Sequence, residues 1–180
     1  SSDRLEYTLG NLLNYRKRKI KEIEKYYNDL VVGVLEDGSK EIMFQNPEIA
    51  EEFAFGALSC GIIYSCDFDR YGMEKLACIL RKAFEETILT ESDLYLTEIE
   101  VIKKLSESCL HDAWNEYTRL QDVTKDFAGD LMVDAKKRYI DPYICKHGRV
   151  TTFSAAFKNA VNEFKNIDYH YLMKGIYRNG

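Results

Sequence analysis

The sequence has little proline and no long apolar run. Two prolines and ten glycines in 180 residues favour long helices with few interruptions. No stretch approaches the roughly 18 apolar residues of a membrane span, so we expect no membrane segment. Glycine-rich phosphate loops and GxSxG elbows are absent, and no signal peptide opens the chain. Because the first residue is Ser1, without a methionine, we interpret the start as cut or processed.

The cysteines include no CxxC pair, and positive charge is not in excess. The five cysteines are scattered, and their odd number and mostly apolar neighbours predict buried free thiols in a reduced, cytoplasmic protein. They are Cys60, Cys66, Cys78, Cys109 and Cys145. A net charge of −5 argues against non-specific binding to nucleic acid or to a membrane, so we expect neither partner.

What the sequence does contain is enough apolar residue for a sizeable core. Hydrophobic residues make up 46% and charged residues 31%, which is typical of a globular chain. We predict a single, mainly α domain over residues 1–180 with a small β-hairpin. Its parts are a helix over 1–28, a hairpin over 30–45, a helical core over 46–121, and a region of irregular structure and short strands plus a C-terminal helix over 122–180.

Local patterns place these elements. Leu5, Leu9 and Leu12 begin an apolar stripe with helical spacing. Two apolar runs around Asp37-Gly38 are typical of a hairpin, and Asn46-Pro47 is typical of a helix start. Further predictions are helices over about 47–65 and 69–87, near 91–106 and 109–121, and over 154–165, and an aromatic tail over 166–180. Met132-Val133 and residues 139–142 predict either a short strand pair or an extended segment that ends at the proline.

Asp3-Arg4-Leu5-Glu6-Tyr7 is the most informative stretch for chemistry. Residues three and seven share a helix face, so a carboxylate could reach a metal while a phenol meets an anionic substrate. The other interpretation is an ordinary helix start, because acidic residues are favoured in the first turn.

This stretch resembles the last signature of the HD superfamily of metal-dependent phosphohydrolases, an Asp-Arg-Leu-Asp-Tyr-like helix. The order of elements after it is also similar to that family. It includes a short hairpin, a helix opening Asn46-Pro47-Glu48-Ile49-Ala50-Glu51-Glu52-Phe53, a segment Leu89-Thr90-Glu91-Ser92-Asp93-Leu94-Tyr95, and Arg138-Tyr139-Ile140-Asp141-Pro142. The resemblance spans residues 3 to about 142, and only its first motif is chemical.

The resemblance implies an HD-domain-like C-terminal part with Asp3 as a metal ligand. Tyr7 would contact substrate phosphate or sugar, and Arg4 or Glu6 would orient the helix. The family's remaining ligands, a histidine and a His-Asp pair, precede this aspartate, and only two serines precede it here. One ligand is too few to hold a divalent cation against water. We therefore expect a metal, and activity on a nucleotide or other phosphoester, only in a complete protein, and an inactive chain alone.

Other candidate residues have simpler interpretations. His111-Asp112 lies in a helical pattern and in the wrong order for the family, so we interpret it as a partly exposed helical pair. His147 and His170 have no paired ligand at metal spacing, and we assign them no role. The basic run over residues 15–21 could touch an anion, but residues 16–19 would wrap round a helix, which favours a solvated helical surface.

The alternative function is a non-catalytic helical module for dimerisation or partner binding. In HD-type folds the aspartate helix packs among the helices that carry the histidines. Without them, the stripe of Leu5, Leu9 and Leu12 would lose its cover. We therefore predict self-association through this stripe, or non-covalent retention of the missing N-terminal segment.

Overall fold

The computed structural model describes the backbone of residues 2–178 and the side chains of residues 4–178. The protein is mainly α with a small β part, and about 54% of it is helical. Within the described residues, the elements in chain order are α1 Ser2–Asn14, α2 Ile20–Asn28, β1 Leu30–Val34, β2 Lys40–Phe44, α3 Pro47–Tyr64, α4 Asp67–Glu85, a 3-10 turn Glu91–Tyr95, α5 Glu98–Ser106, α6 His111–Thr118, β3 Leu120–Lys125, β4 Tyr143–Ile144, β5 Gly148–Arg149, α7 Val150–Phe153, α8 Ala155–Asn166 and β6 Met173–Tyr177.

The chain forms two compact units, each built from two stretches of sequence. Unit 1 comprises residues 1–65 and 136–168, and unit 2 comprises residues 66–135 and 169–180. The predicted single domain did not anticipate this division, because no proline-rich or glycine-rich linker marks the crossing points. The predicted helical core over 46–121 contributes α3 to unit 1 and α4 to α6 to unit 2.

The predicted helix over 1–28 is wrong in one respect, because it is two helices separated by residues 15–19. Lys17 takes a φ of 50°, in the left-handed region that interrupts a helix. The second helix starts at Ile20. Glu22 in its first turn caps it, because the Glu22 carboxylate accepts the backbone N–H of Lys19 at 2.8 Å. Residues 15–19 of the basic run therefore connect two helices and do not form a helical surface, and only Ile20 and Lys21 of the run belong to α2. In this connection Arg16 donates to the Ser59 carbonyl at 2.5 Å, and Arg18 donates to Glu22 at 2.7 Å.

The predicted hairpin is confirmed and forms half of a four-stranded sheet. β1 and β2 pair antiparallel from Leu30 opposite Phe44 to Val34 opposite Lys40. Their turn places Gly38 at a φ of 82°, and the Asp37 carboxylate accepts the backbone N–H of Ser39 at 2.9 Å. The strand order is β1-β2-β4-β5, with β2 and β4 parallel.

Helix α3 lies at the centre of unit 1. It starts as predicted, with Pro47 in its first turn and the Asn46 side chain accepting the N–H of Glu48 at 2.9 Å. A side chain at Gly56 would lie 2.8 Å from Leu12, so the missing side chain lets α1 pack closely on α3. The fully buried members of this core also come from the sheet and from α7 and α8; they include Phe44, Phe53, Ile144, Val150, Phe157 and Phe164.

Unit 2 departs further from the sequence prediction. The predicted helix near 91–106 is a 3-10 turn followed by α5. The predicted helix near 109–121 ends at Thr118, and β3 begins at Leu120. Residues 132–133 and 139–142 do not form the predicted strand pair. Instead β3 pairs antiparallel with β6, inside the aromatic tail, in unit 2, while β4 pairs antiparallel with β5 in unit 1. The core of α4, α5 and α6 contains Ile79, Ala83, Leu89, Leu105 and Leu110.

Arg70 fixes the C-terminal segment of unit 2 to α4. It is 5% exposed, and its guanidinium donates to the carbonyls of Val133 and Tyr169 and to the Asp67 carboxylate, the last at 2.8 Å. The rings of Tyr169 and Tyr171 lie within 4.8 and 5.3 Å of it. The Tyr171 hydroxyl donates to Asp67 at 2.5 Å, and burial together with this bond raises the pKa of Tyr171 to about 12.

We expect Arg70→Met to destabilise unit 2 by about 2–3 kcal/mol, because it leaves two partly buried carbonyls and a partly buried carboxylate without their donor. Lysine should not restore the loss, since it lacks the planar fork that serves three acceptors. Urea unfolding followed by the fluorescence of Trp114, the single tryptophan, measures the change. Arg81→Met, at an exposed ion pair with Glu74 on the same helix, is the matched control and should cost less than about 0.5 kcal/mol.

Two remaining predictions concern cysteine and the membrane. All five cysteines are free thiols. Cys60 is buried and Cys66 and Cys145 are partly buried, whereas Cys78 and Cys109 are exposed, so the prediction of buried thiols is wrong for these two. Cys78 lies on α4, and Cys109 lies in the turn between α5 and α6. Over the described residues, no single helix is long and apolar enough to cross a membrane, and only α3 and α4 taken together as a bent pair reach that length and composition.

Candidate functional groove at the start of the first helix

A groove of about 660 Å³ lies beside the start of α1 in unit 1, and we call it the α1 groove. Arg4 and Leu5 line one side of it, and the hairpin and α3 line the other. Its remaining wall is residues 139–143 with Arg149. The lining residues are Arg4, Leu5, Leu30, Glu41, Ile42, Phe44, Phe53, Tyr139, Ile140, Asp141, Pro142, Tyr143 and Arg149. Segments more than a hundred residues apart in sequence therefore meet at the helix that carries the candidate metal ligand.

The wall over residues 139–143 is held in place by the parallel pairing of β4 with β2. Tyr143 lies opposite Met43, and the backbone N–H of Cys145 donates to the Phe44 carbonyl at 2.9 Å. Asp141 ties this wall to the start of α7, because its carboxylate accepts the N–H of Thr151 at 3.0 Å and the Thr151 hydroxyl at 2.5 Å. The Asp141-Pro142 motif is thus a structural clamp that turns the chain into the sheet.

The α1 groove combines an apolar floor with charged walls. Phe53 and Phe44 are fully buried at the floor, where their ring centroids lie 5.1 Å apart. The Arg149 guanidinium stacks 4.1 Å from the Tyr143 ring centroid and donates to the Asp141 carbonyl at 2.7 Å. Such a lining suits a ligand or chain segment with both an apolar body and an anionic group.

Tyr7 lies on a different side of α1 from this groove. It borders a shallow depression of about 380 Å³, lined also by Glu6, Gly10, Asn11 and Asn14. Its side chain is 68% exposed, so the phenol is accessible to a ligand. The side chain of Asp3 lies outside the described residues, and its assignment as a metal ligand stays a prediction.

The predicted uncovered stripe on α1 is wrong at two of its three positions. Leu9 and Leu12 are buried in the core of unit 1, where Leu12 packs on α3 at Gly56. Only Leu5 remains half-exposed, at the edge of the α1 groove. α1 is covered by the helices of its own unit, so self-association through the whole stripe loses its basis.

A cluster around Glu52, which the sequence analysis did not identify, joins α2 to α3. The carboxylate accepts from Lys25 at 2.8 Å and from the buried Tyr26 hydroxyl at 2.7 Å. The Lys25 bond is the main reason that the pKa of Glu52 is lowered. Burial, reinforced by Glu52, raises the pKa of Tyr26 and keeps the phenol protonated. The cluster is an anchor, and it orients the α1–α2 pair beside the groove.

The histidines make local hydrogen bonds and packing contacts. His111 and Asp112 are exposed at the start of α6, where the two ring nitrogens of His111 bond to the Ser106 carbonyl and the Asn115 amide, each at 2.7 Å. His147 packs against a phenylalanine ring, and His170 lies 3.1 Å from an Asp134 oxygen. Within the part of the chain that the structure describes, no group of three or more histidine, cysteine, aspartate or glutamate side chains could hold a metal ion.

Sequence reasoning missed Tyr143 and Arg149 as groove residues. The only local signal was the proline before Tyr143, which marks an extended segment without saying what it faces. No family model, no curated protein and no solved structure matches this chain. Function is therefore argued from the residues and their geometry.

Proposed function

We propose that this chain is the C-terminal part of an HD-type, metal-dependent phosphohydrolase that acts on a nucleotide or another phosphoester. The observation that carries the proposal is the α1 groove. Most of the segments that resemble the family, namely the Asp3–Tyr7 helix start, the hairpin, the Asn46-Pro47 helix and the segment ending at Pro142, contribute residues to this one place, whereas the segment from Leu89 to Tyr95 belongs to unit 2 and does not. Their convergence on the helix with the signature aspartate supports a shared architecture over a chance similarity of separate motifs.

The described residues alone do not fit a divalent cation, because no cluster of suitable ligands is found among them. We therefore derive no catalytic step through a metal. What this chain can supply is binding and orientation. Arg4 lines the α1 groove and Tyr7 presents an accessible phenol outside it, so the two residues would contact phosphate or sugar oxygens at separate places on the substrate.

The proposal is tested by the coding sequence before Ser1. It should encode a histidine followed by a His-Asp pair, and the protein made from the whole reading frame should release phosphate from nucleotides when Mn²⁺ or Mg²⁺ is added. The present chain, purified in the same way, should show none of this activity. A start codon immediately before Ser1, or a complete protein that hydrolyses no nucleotide or phosphoester with either metal, would contradict the proposal.

A second candidate function is a non-catalytic module for dimerisation or partner binding. It is favoured by an independent observation, the exposed apolar residues Val32, Val34 and Ile42 on the outer part of the hairpin. The two candidates are compatible if a catalytic protein assembles through this surface. The hydrolysis assay decides the first, and the oligomeric state of the chain decides the second.

A further inference from the structure

Strand β1 forms an open edge of the four-stranded sheet in unit 1. It stands at the end of the strand order β1-β2-β4-β5. Its sequence, residues 30–34, is Leu-Val-Val-Gly-Val, with no charged residue and no proline. Soluble proteins usually protect such edges with lysine, proline, a bulge or a covering segment, because a bare edge pairs readily with another strand. The sequence of β1 has neither lysine nor proline to protect this edge, which favours an edge that pairs with another strand.

The backbone groups of β1 that point away from β2 can be identified from the ladder. The backbone N–H of Leu35 donates to the Ser39 carbonyl at 2.8 Å, and the backbone N–H of Gln45 donates to the Asp29 carbonyl at 3.0 Å. The odd-numbered residues of this strand therefore direct their N–H and C=O groups towards β2. Leu30, Val32 and Val34 therefore direct their N–H and C=O groups to the open edge. Within the described residues, none of these groups has a hydrogen-bond partner in a neighbouring strand.

The side chains at this edge are also unusually accessible for apolar residues. Val32 is 69% exposed and Val34 is 66% exposed. Ile42 lies opposite Val32 on β2 and is exposed on the same face, while Leu30 lines the α1 groove. An exposed apolar face thus continues along the open edge, and the side chains of an added strand would pack beside Val32 and Val34 on that face.

We propose that β1 pairs antiparallel with β1 of a second copy of this chain, about a two-fold axis at Val32. In this register Val32 lies opposite the partner's Val32, and Leu30 lies opposite the partner's Val34. All outward N–H and C=O groups of these residues then find partners, because the same residues bear the free groups on both strands. The inference does not depend on the proposed hydrolase activity.

The chemistry of the strand favours a second copy as the occupant. β1 carries no charge, so it meets no like charge when it pairs with itself. The acidic flanks also avoid each other in this register. Asp29 falls opposite the partner's Leu35, and Glu36 falls opposite the partner's Asn28. Apolar residues face apolar residues along the whole strand, which is the pairing that stabilises antiparallel sheets.

The first test measures mass in solution for the full chain and for edge variants. By light scattering the chain should be a dimer at micromolar concentration. The double variant Val32→Lys, Val34→Lys should weaken dimerisation on the order of a hundredfold or more, because the change at Val32 places two positive charges opposite each other and the change at Val34 places a charge opposite the partner's Leu30. Val32→Pro should have a similar effect, since it removes an N–H that β2 does not use.

Controls separate the edge from general loss of folding or hydrophobicity. Ile99→Lys changes an equally exposed apolar residue in unit 2 and should leave the dimer intact. Circular dichroism must give the same thermal midpoint for the lysine variant as for its parent at a concentration where both are monomeric. A chain that is monomeric at millimolar concentration, or a dimer unaffected by the lysine variant, would overturn the proposal.

The second test fixes the register. In a background with Cys78 and Cys109 replaced by serine, Val32→Cys should form a disulfide-linked dimer on mild oxidation, because cross-strand Cα atoms about 5.5 Å apart allow the bond. Val34→Cys should not form it, since that residue faces the partner's Leu30. Linkage through Val34→Cys alone would place the axis elsewhere and overturn the proposed pairing.

Discussion

Replacing Asp3 by alanine in the complete protein is expected to reduce metal-dependent hydrolysis on the order of a thousandfold or more. If Asp3 is a metal ligand, as proposed, losing its carboxylate would displace or release the cation, and several kcal/mol of transition-state stabilisation would be lost with it. The kcat for phosphate release should fall, and the bound Mn²⁺ measured by mass spectrometry should fall with it. Retained activity and retained metal would refute the assignment of Asp3 as a ligand.

Two controls make this result specific. Asp112→Ala changes the aspartate of the His111-Asp112 dipeptide, which is exposed at the start of α6, and should leave hydrolysis unchanged. Asp3→Ala in the present chain alone should change neither its free energy of unfolding nor its metal content. A large loss of stability in that chain would show that Asp3 serves the helix start, and the drop in activity would then have a structural cause.

Elements with a local signal could be predicted from the sequence. The hairpin was predictable because Asp37-Gly38 sits between two apolar runs, and α3 because Asn46-Pro47 both caps and starts a helix. The break between α1 and α2 was not predictable from periodicity, because the apolar stripe continues across it while Lys17 turns left-handed.

Elements that depend on distant pairing had no such signal. β6 lies in an aromatic tail and forms a strand because it pairs with β3, some fifty residues earlier in the sequence. The α1 groove has the same origin. Met43 and Tyr143, which are a hundred positions apart, become neighbours only through the parallel pairing of β2 with β4. The candidate residues on α1 could be named from a motif, whereas the opposite wall of the groove required the fold.

Phe53 is the residue whose replacement we expect to disturb this long-range packing most. Its side chain is 1% exposed at the floor of the α1 groove. Its ring centroid lies 5.1 Å from that of Phe44 on β2 and 5.8 Å from that of Tyr26 on α2. One ring on α3 therefore joins the sheet and the second helix, and through them it supports the wall built by residues 139–143.

Phe53→Ala is expected to lower the free energy of unfolding by about 3–5 kcal/mol, because it removes a buried ring and leaves a cavity that three elements border. Urea titration followed by far-ultraviolet circular dichroism measures the loss. Phe55→Ala, two residues along the same helix, is the matched control. Its ring is partly exposed and contacts Phe157 at a centroid distance of 5.3 Å, so the cost should be less than half as large.

The two variants also test whether the groove depends on this ring. Hydrogen exchange should rise at the amides of β2 and β4 in Phe53→Ala, while Phe55→Ala should leave them protected. Equal and small losses in both variants, below about 1 kcal/mol, would mean that the floor of the groove repacks without Phe53. A large loss confined to Phe53→Ala, with exchange spreading from β2 to β4, would tie the stability of unit 1 to the ring that lines its candidate site.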